Sequence, residues 1–431
     1  MKIAIIGTGY VGLPAGAVFA DLGHSVACID KNAQKIADLN AGKTVLFEEG
    51  LDELIARNVG KNLKFTTDIS AASDAEFIIL AVGTPEDKKT GQADLQYIYA
   101  AAREVAPHLA NGAVVATKST VPVGTGDEIE RIMRTANPDG DFDVISMPEF
   151  LREGFAVYDV LNPDRVVAGG NSARAFDAVR ELYSVFKTPV TFLFTDRRSS
   201  ELIKYASNAF LAVKIHYINQ IANLCEAADA NVDDVARGMG LDSRIGPKFL
   251  NAGPGYGGSC FPKDTAALEY TARQYDLNLS LVDTAIRGNR ERQANMAKRI
   301  IRTAAVAGIE NPVVAAWGLA FKNGTDDVRE SPAIRIIREL VANGARVVAY
   351  DPKAMETARE ILGDSISYAP DAISAANGAD VLAVLTEWPE FSDVPLDALK
   401  MRNKIIVDLR NKINPTHANE LGFEYHRIGK K

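Results

Sequence analysis

The chain has 431 residues, 47% of them hydrophobic and 24% charged, with a formal net charge of -8 and a pI near 5.4. That length predicts about two to three domains of an ordinary globular protein. The acidic balance argues against a nucleic-acid binder, whose footprint is a basic patch, and no apolar run approaches the roughly 20 residues that span a bilayer.

The first apolar run, Lys2–Ile6, reads as a strand that breaks at glycines, so no targeting segment is expected. The turn Gly7-Thr8-Gly9-Tyr10-Val11-Gly12 follows, then a helical run over residues 13–22 and a second strand, Ser25–Ile29, ending at Asp30. Strand, glycine turn and helix in this order form a dinucleotide fingerprint. Gly7 serves the tight turn, Gly9 lets the backbone approach a pyrophosphate at the positive helix N-terminus, and Gly12 allows close helix–strand packing. Asp30 lies eighteen residues after Gly12, where an acid binds a ribose. Its charge disfavours a 2′-phosphate and selects NAD over NADP, although Lys31 and Lys35 lie close by. Tyr10, Val11 and Lys35 belong to the same expected cofactor contact. The alternative is a tight turn that binds nothing.

Further strands are expected at 77–82, 113–117 and 143–146, with helical patterns between them. Alternating strands and helices predict a parallel, doubly wound sheet whose ligands sit at the carboxyl ends of the strands. Two loops at those ends, Val82-Gly83-Thr84-Pro85 and Lys118-Ser119-Thr120-Val121-Pro122-Val123-Gly124, face that crevice or are ordinary turns. A third, Met147-Pro148-Glu149-Phe150-Leu151-Arg152-Glu153-Gly154, offers Glu149 and Glu153 as substrate or water contacts. Loop glutamates are more often simply solvated.

From 199 to 240 the pattern predicts one long central helix, with apolar positions Ile203, Phe210, Val213, Tyr217, Ile221 and Leu224 recurring at threes and fours. Lys204 and Asn208, four apart, share a face beside that stripe. A lysine there can stabilise a developing alkoxide or can snorkel from the core.

The run Gly255-Tyr256-Gly257-Gly258-Ser259-Cys260-Phe261-Pro262-Lys263-Asp264 puts a cysteine at the end of a glycine-rich loop open to a ligand. Lys263 would lower the thiol pKa, and Asp264 could orient a water. Cys28, in a strand, and Cys225, on a helix, read as buried and inert. Three cysteines make no disulfide framework and fit a reducing cytoplasm. A nicotinamide cofactor beside a nucleophilic thiol points to an oxidation through a thioester. No metal-ligand cluster is read.

A second βαβ set starts near 312, with strands at 313–317, 346–350, 380–385 and 404–408 and a helix at 332–343. The expected organisation is α/β: two Rossmann-like doubly wound domains, 1–198, which binds NAD, and 301–431, joined by a helical region, 199–300, that carries the cysteine loop.

These motifs resemble the UDP-glucose/GDP-mannose dehydrogenase family over essentially the whole chain. The carriers are 7–12, 82–85, 119–124, 148–154, Lys204 with Asn208, Arg244-Ile245-Gly246, 253–264, and Phe321-Lys322 through Asp326-Asp327-Val328-Arg329-Glu330-Ser331. The chain departs from the family at Glu49 and at Asn323-Gly324. The resemblance implies a C-terminal domain that binds UDP and a four-electron oxidation of UDP-glucose to UDP-glucuronate. Cys260 would form the thiohemiacetal and thioester, and Asp264, Thr120 and Glu153 would position the hydrolytic water. Lys204 and Asn208 would hold the oxyanion. Thr84, Thr120, Glu153, Lys263 and Arg329 would lie near NAD. Glu149, Phe150, Leu151, Arg152, Lys322 and Phe321 would contact the substrate. Phe249, Leu250, Asn251, Ala252, Gly253, Tyr256 and Gly257 would wrap the nucleotide, and Arg244 would reach the substrate of a partner subunit, implying a homodimer or larger. The product would feed a surface polysaccharide. A sister enzyme for GDP-mannose or a UDP-N-acetylhexosamine, a two-electron hydroxyacid dehydrogenase and a non-catalytic sensor are the alternatives.

Overall fold

In the computed structural model, which describes residues 1–44, 46–87 and 91–430, contacts divide the chain into two units. One comprises Met1–Ser207 with Tyr270–Asp276, the other Asn208–Glu269 with Leu277–Lys431.

The first unit is built on eight strands: β1 Lys2–Ile6, β2 Ser25–Ile29, β3 Leu63–Thr66, β4 Phe77–Leu80, β5 Ala113–Thr117, β6 Phe142–Ser146, β7 Val166–Gly169 and β8 Phe192–Thr195. Their order is β3-β2-β1-β4-β5-β6-β7-β8. Every neighbouring pair is parallel except β6 and β7, which meet antiparallel at Ser146 and Gly169. Side chains alternate between two buried faces. Ile3, Ile5, Phe77 and Ile79 enter one core; Ala4, Ile6, Ile78 and Leu80 enter the other. A parallel sheet covered by helices on both sides requires such unbroken apolar strands. The order reverses between β1 and β4, which opens the crevice where α/β sheets bind ligands.

The second unit repeats the arrangement with six parallel strands: β9 Val313–Trp317, β10 Arg346–Tyr350, β11 Ser367–Tyr368, β12 Val381–Val384, β13 Ile405–Asp408 and β14 Glu424–Arg427. Their order, β11-β10-β9-β12-β13-β14, matches β3-β2-β1-β4-β5-β6. The likeness reaches single residues. Gly7 and Gly318 both adopt φ near +100°, and each donates its N–H to the neighbouring strand at 2.8 Å, to Ile29 O and Tyr350 O. Asp30 and Asp351 follow those strands, and each accepts from the backbone two residues beyond β1 or β9, Thr8 N–H at 3.0 Å and Leu319 N–H at 2.7 Å. The units diverge there. Asp351 also accepts from Ala320 N–H and from Trp388 Nε1, each at 3.0 Å.

The long helical pattern is two helices, Arg197–Ala228 and Val232–Gly240. Asp229 takes a left-handed φ of 56° and ends the first, and Asn231 caps the second through Asp233 N–H. The stripe expected at the core is also corrected. Phe210, Tyr217 and Leu224 are 64%, 47% and 61% exposed, while the buried face carries Ser200, Glu201, Lys204, Tyr205, Asn208, Ala209 and Ala212.

Candidate active site

The glycine turn of the first unit has the geometry of a nucleotide cradle. A Cβ on Gly12 would stand 1.9 Å from Gly7 O, so the helix Gly12–Asp21 closes against the strand end only because residue 12 has no side chain. A Cβ on Gly9 would meet nothing within 4 Å. Gly9 thus faces open space, where a diphosphate would approach the helix N-terminus. Asp30 accepts from Thr8 Oγ1 at 2.7 Å and from Asn32 N–H at 3.0 Å, and Lys35 Nζ lies 3.6 Å away. Burial alone would raise its carboxyl; the Thr8 and Asn32 hydrogen bonds and the Lys35 charge outweigh burial and hold it below the usual carboxylate range. Lys35 therefore offsets Asp30 rather than opposing it. Thr84 donates to Thr120 O at 2.9 Å, which joins the loops after β4 and β5. These residues fit a dinucleotide with an unphosphorylated ribose, and Lys118, Glu149 and Lys204 lie in the same unit.

Lys204 and Glu149 form a buried ion pair, Nζ to Oε1 at 3.0 Å, with side chains 4% and 6% exposed. The reading of both as solvated or snorkelling groups is overturned. Neighbouring bonds set this arrangement. Ser200 donates to Ser146 O at 2.8 Å. Glu201 accepts from Gly124 N–H, Gly126 N–H and Ser146 Oγ at 2.7, 2.7 and 2.9 Å. The helix is thereby fixed to the end of β6 and to the start of the helix Thr125–Ala136, and Lys204, one turn on, meets the loop that follows β6. That loop is held in turn by Glu48, which accepts from Gly154 and Ala156 N–H at 2.7 and 2.9 Å. Leu151 N–H donates to Glu149 Oε2, and Phe150 lies under both Lys204 and Arg165. Arg152 turns outward to Asp159.

In the second unit Cys260 directly precedes the helix Phe261–Gln274, and its carbonyl accepts the first-turn hydrogen bond from Asp264 N–H at 2.8 Å. A helix N-terminus favours an anion such as a thiolate. Lys263 donates to Asp264 Oδ1 at 2.8 Å. Asp264 Oδ2 accepts from Asn208 Nδ2 at 2.6 Å, and Asp264 is 1% exposed. Ser259 Oγ lies 3.6 Å from the sulfur. Cys28 and Cys225 are buried, and burial pushes the Cys28 thiol up to about 12.

The glycines before Cys260 serve packing rather than an open loop. A Cβ on Gly257 would stand 2.2 Å from Glu330 O, and one on Gly258, at φ +83°, 2.7 Å from the Phe321 ring. Phe321 and the backbone of Arg329, which accepts from Gly258 N–H at 3.0 Å, are brought to the cysteine loop. Arg329 itself pairs with buried Asp327 and is half exposed. Lys322 Nζ lies 5.7 Å from the Phe321 ring centroid.

Along 249–257, Phe249 adopts a positive φ of 65°, Leu250 and Tyr256 are buried and Asn251 is exposed. Ala252 packs partly buried against the second unit's core. Gly253 is fixed from both sides, by Asn219 Oδ1 at 2.8 Å and Arg292 Nε at 3.0 Å. Arg244 pairs with Asp242 and is 87% exposed. Sequence reasoning missed Glu48, Glu201 and Arg292; none lies in a glycine-rich motif, and each acts on backbone far away in the chain.

The sequence matches models of three domains of the UDP-glucose/GDP-mannose dehydrogenase family: the NAD binding domain over residues 1–187, the central domain over 198–291 and the UDP binding domain over 315–415. It is 51% identical over 439 residues to a UDP-glucose 6-dehydrogenase of Rhizobium meliloti, covering all of both chains. Among solved structures it resembles a UDP-glucose dehydrogenase from Pyrobaculum islandicum, with TM-score 0.90 and 35% identity over 100% of this chain and 98% of that one. A UDP-D-ManNAc dehydrogenase from Pyrococcus horikoshii gives TM-score 0.88 and 28% identity over 100% and 99%. Among the described residues no helix is long and apolar enough to cross a membrane.

Proposed function

The chain belongs to the UDP-glucose/GDP-mannose dehydrogenase family and oxidises UDP-glucose with NAD; on that premise we propose that the oxidation removes four electrons and runs through Cys260 to UDP-glucuronate. The observation that carries this reading is the placement of Cys260 at a helix N-terminus one turn before Asp264, whose oxygens are held by Asn208 and Lys263. A two-electron alcohol dehydrogenase needs no thiol.

NAD supplies the chemistry of hydride acceptance at both oxidations. Lys204 and Asn208, one turn apart on the same helix, oppose the negative charge that develops on the C6 oxygen. The Cys260 thiolate adds to the C6 aldehyde carbon, forming the C–S bond of a thiohemiacetal, and loss of hydride from that carbon leaves a thioester. Water then attacks, the C–S bond breaks and the thiol is regenerated with the acid. Asp264, assisted by Thr120 and Glu153, positions that water and accepts its proton. Dividing a hard oxidation and hydrolysis this way is covalent catalysis. The nucleotide is assigned to the loop 249–257 with Phe321 and Lys322, and Arg329, Lys263 and Thr84 to the cofactor.

We assign the chain to a cytoplasmic homodimer. Phe210, Tyr217 and Leu224 recur every seven residues on one exposed helix face, a pattern that favours burial against a second copy, and exposed Arg244 is free of the unit's core to reach a partner. Mass spectrometry of the product tests the reaction. UDP-glucose should become a uronic acid, whereas an aldehyde end product, or turnover of a UDP-N-acetylhexosamine in its place, contradicts it.

A further inference from the structure

In the second unit the buried side of the helix Ser280–Val306 is apolar at Met296, Ala297 and Ile300 but polar at Asn289, Arg292 and Gln293. Three and four residues apart, these three share one face. Each donates to the main chain of the run Gly253-Pro254-Gly255-Tyr256. Arg292 Nε donates to Gly253 O at 3.0 Å, and Asn289 Nδ2 and Gln293 Nε2 donate to Tyr256 O at 2.9 and 3.2 Å. Asn289 Oδ1 also accepts from Tyr256 N–H at 2.9 Å, so one carboxamide holds both backbone groups of that residue, as a neighbouring strand would. Gly255, at φ +120°, passes so close that a Cβ there would stand 2.5 Å from Asn289 Oδ1. The helix Arg197–Ala228 completes the grip. Its Asn219 Oδ1 accepts from Gly253 N–H at 2.8 Å, and Asn223, one turn on, accepts from Arg292 Nη1.

This run stands at the carboxyl ends of the second sheet. A Cβ on Gly253 would lie 3.6 Å from Arg410 Nη1. Arg410, just beyond β13, donates to Leu385 O after β12 at 2.9 Å and to Phe321 O beyond β9 at 3.1 Å. The strand order reverses between β9 and β12, the point at which a doubly wound sheet takes its ligand. The cysteine half of the loop has separate support: Gly258 N–H donates to Arg329 O at 3.0 Å, and Gly257 lies against Glu330 O. Arg292 Nη2 has no hydrogen-bond partner among the described residues. A buried aliphatic side chain would avoid that cost, so stability does not account for a guanidinium here, whereas placement of the Gly253 carbonyl does.

We propose that Asn289 and Arg292 are positioning residues for the nucleotide: through the main chain of 253–256 they hold that run in its binding shape before UDP arrives, and they set nucleotide affinity separately from the placement of Cys260. The proposal rests on the reading of 249–257 as the nucleotide loop. A loop that must become ordered at binding weakens affinity in proportion to the time it spends out of the competent shape. A run held by buried side chains of two helices escapes that penalty.

Calorimetric titration with UDP alone compares the unaltered chain with Asn289→Leu and Arg292→Met, which keep apolar bulk and remove the hydrogen bonds. Both variants should bind UDP about 10- to 100-fold more weakly, as the competent loop becomes a minor population. NAD affinity, which belongs to the first unit, should not change. The KM for UDP-glucose should rise by the same factor with kcat held within about threefold, the mark of binding lost equally from ground and transition states. Iodoacetamide should alkylate Cys260 at the unaltered rate, the other two cysteines being buried. Hydrogen exchange of the unaltered chain gives a readout that needs no variant to fold: the amides of Gly253 and Tyr256 should be protected before UDP is added, and UDP should leave its footprint on 249–257. Unprotected amides in the UDP-free chain overturn the proposal and leave the loop as the nucleotide contact. So does UDP affinity that is unchanged in both variants, or weakened only together with NAD affinity. A UDP footprint that spares 249–257 overturns the loop assignment itself, and the proposal with it.

Discussion

Asn208 Nδ2 donates to Asp264 Oδ2 at 2.6 Å, between two buried side chains 56 residues apart. Lys263 holds the other oxygen at 2.8 Å. The two hydrogen bonds hold the carboxylate in a fixed orientation. That suits a group that takes a proton from water during thioester hydrolysis.

Asp264→Asn keeps the shape and removes the base. We expect kcat to fall about 10²- to 10⁴-fold, the usual contribution of a general base. Intact-mass measurement should find a UDP-sugar adduct on Cys260 that accumulates during turnover. Unchanged kcat, or slow turnover with no adduct, assigns hydrolysis to another group.

The two glycines of the nucleotide turn should separate binding from folding. Gly9→Ala adds a methyl to open space. The melting temperature should stay within about 2 °C while NAD binding weakens at least 10-fold, because the methyl meets the diphosphate. Gly12→Ala would drive its Cβ into Gly7 O, so it should lose stability as well as binding. Calorimetric titration beside thermal unfolding distinguishes the two.

The Lys204–Glu149 pair predicts non-additive losses. Lys204→Met takes from buried Glu149 its partner at 3.0 Å, and breaking such a pair costs about 3 to 5 kcal/mol. Adding Glu149→Gln removes the carboxylate's charge, so denaturant unfolding of the double variant should recover most of that stability. Activity should not return, because the amine is gone. Additive losses in stability would mean that the two side chains act independently.

Lys118 makes a prediction of opposite sign. Its ordinary value of 10.5 falls to about 8 in the folded chain. Between these limits the unfolded chain binds the proton and the folded chain does not. Stability therefore rises with pH across that window, and the full penalty applies below it. Lys118→Met should stabilise the chain at pH 7 by about 3 kcal/mol, the size of a shift of two to three units, and should flatten the dependence between pH 8 and 10.5.

Much of this was legible in the sequence where the signal is local. Gly7, Gly9, Gly12 and Asp30 announce the cofactor turn because their spacing is set by one βαβ unit, and Cys260 stands out because its loop is short and glycine-rich. What sequence could not give depends on partners distant in the chain. Glu149 meets Lys204 across 55 residues, and nothing in its own loop separates a buried ion pair from a solvated carboxylate. The glycines at 257 and 258 looked open to ligand because their neighbours, Glu330 and Phe321, lie far along the chain. Periodicity misplaced the face of the long helix. Phe210, Tyr217 and Leu224 have the spacing of a core stripe but are exposed, while Lys204 and Asn208 occupy the buried face. The strands Val166–Gly169 and Phe192–Thr195 went unread because four residues carry too little alternation.

The central claim is that Cys260 carries the oxidation past the aldehyde to the acid. Counting NADH formed per UDP-glucose consumed at completion tests it most directly. Two NADH per sugar, with Cys260→Ala forming no acid, is the predicted result; one NADH per sugar, or full acid formation by Cys260→Ala, would contradict it.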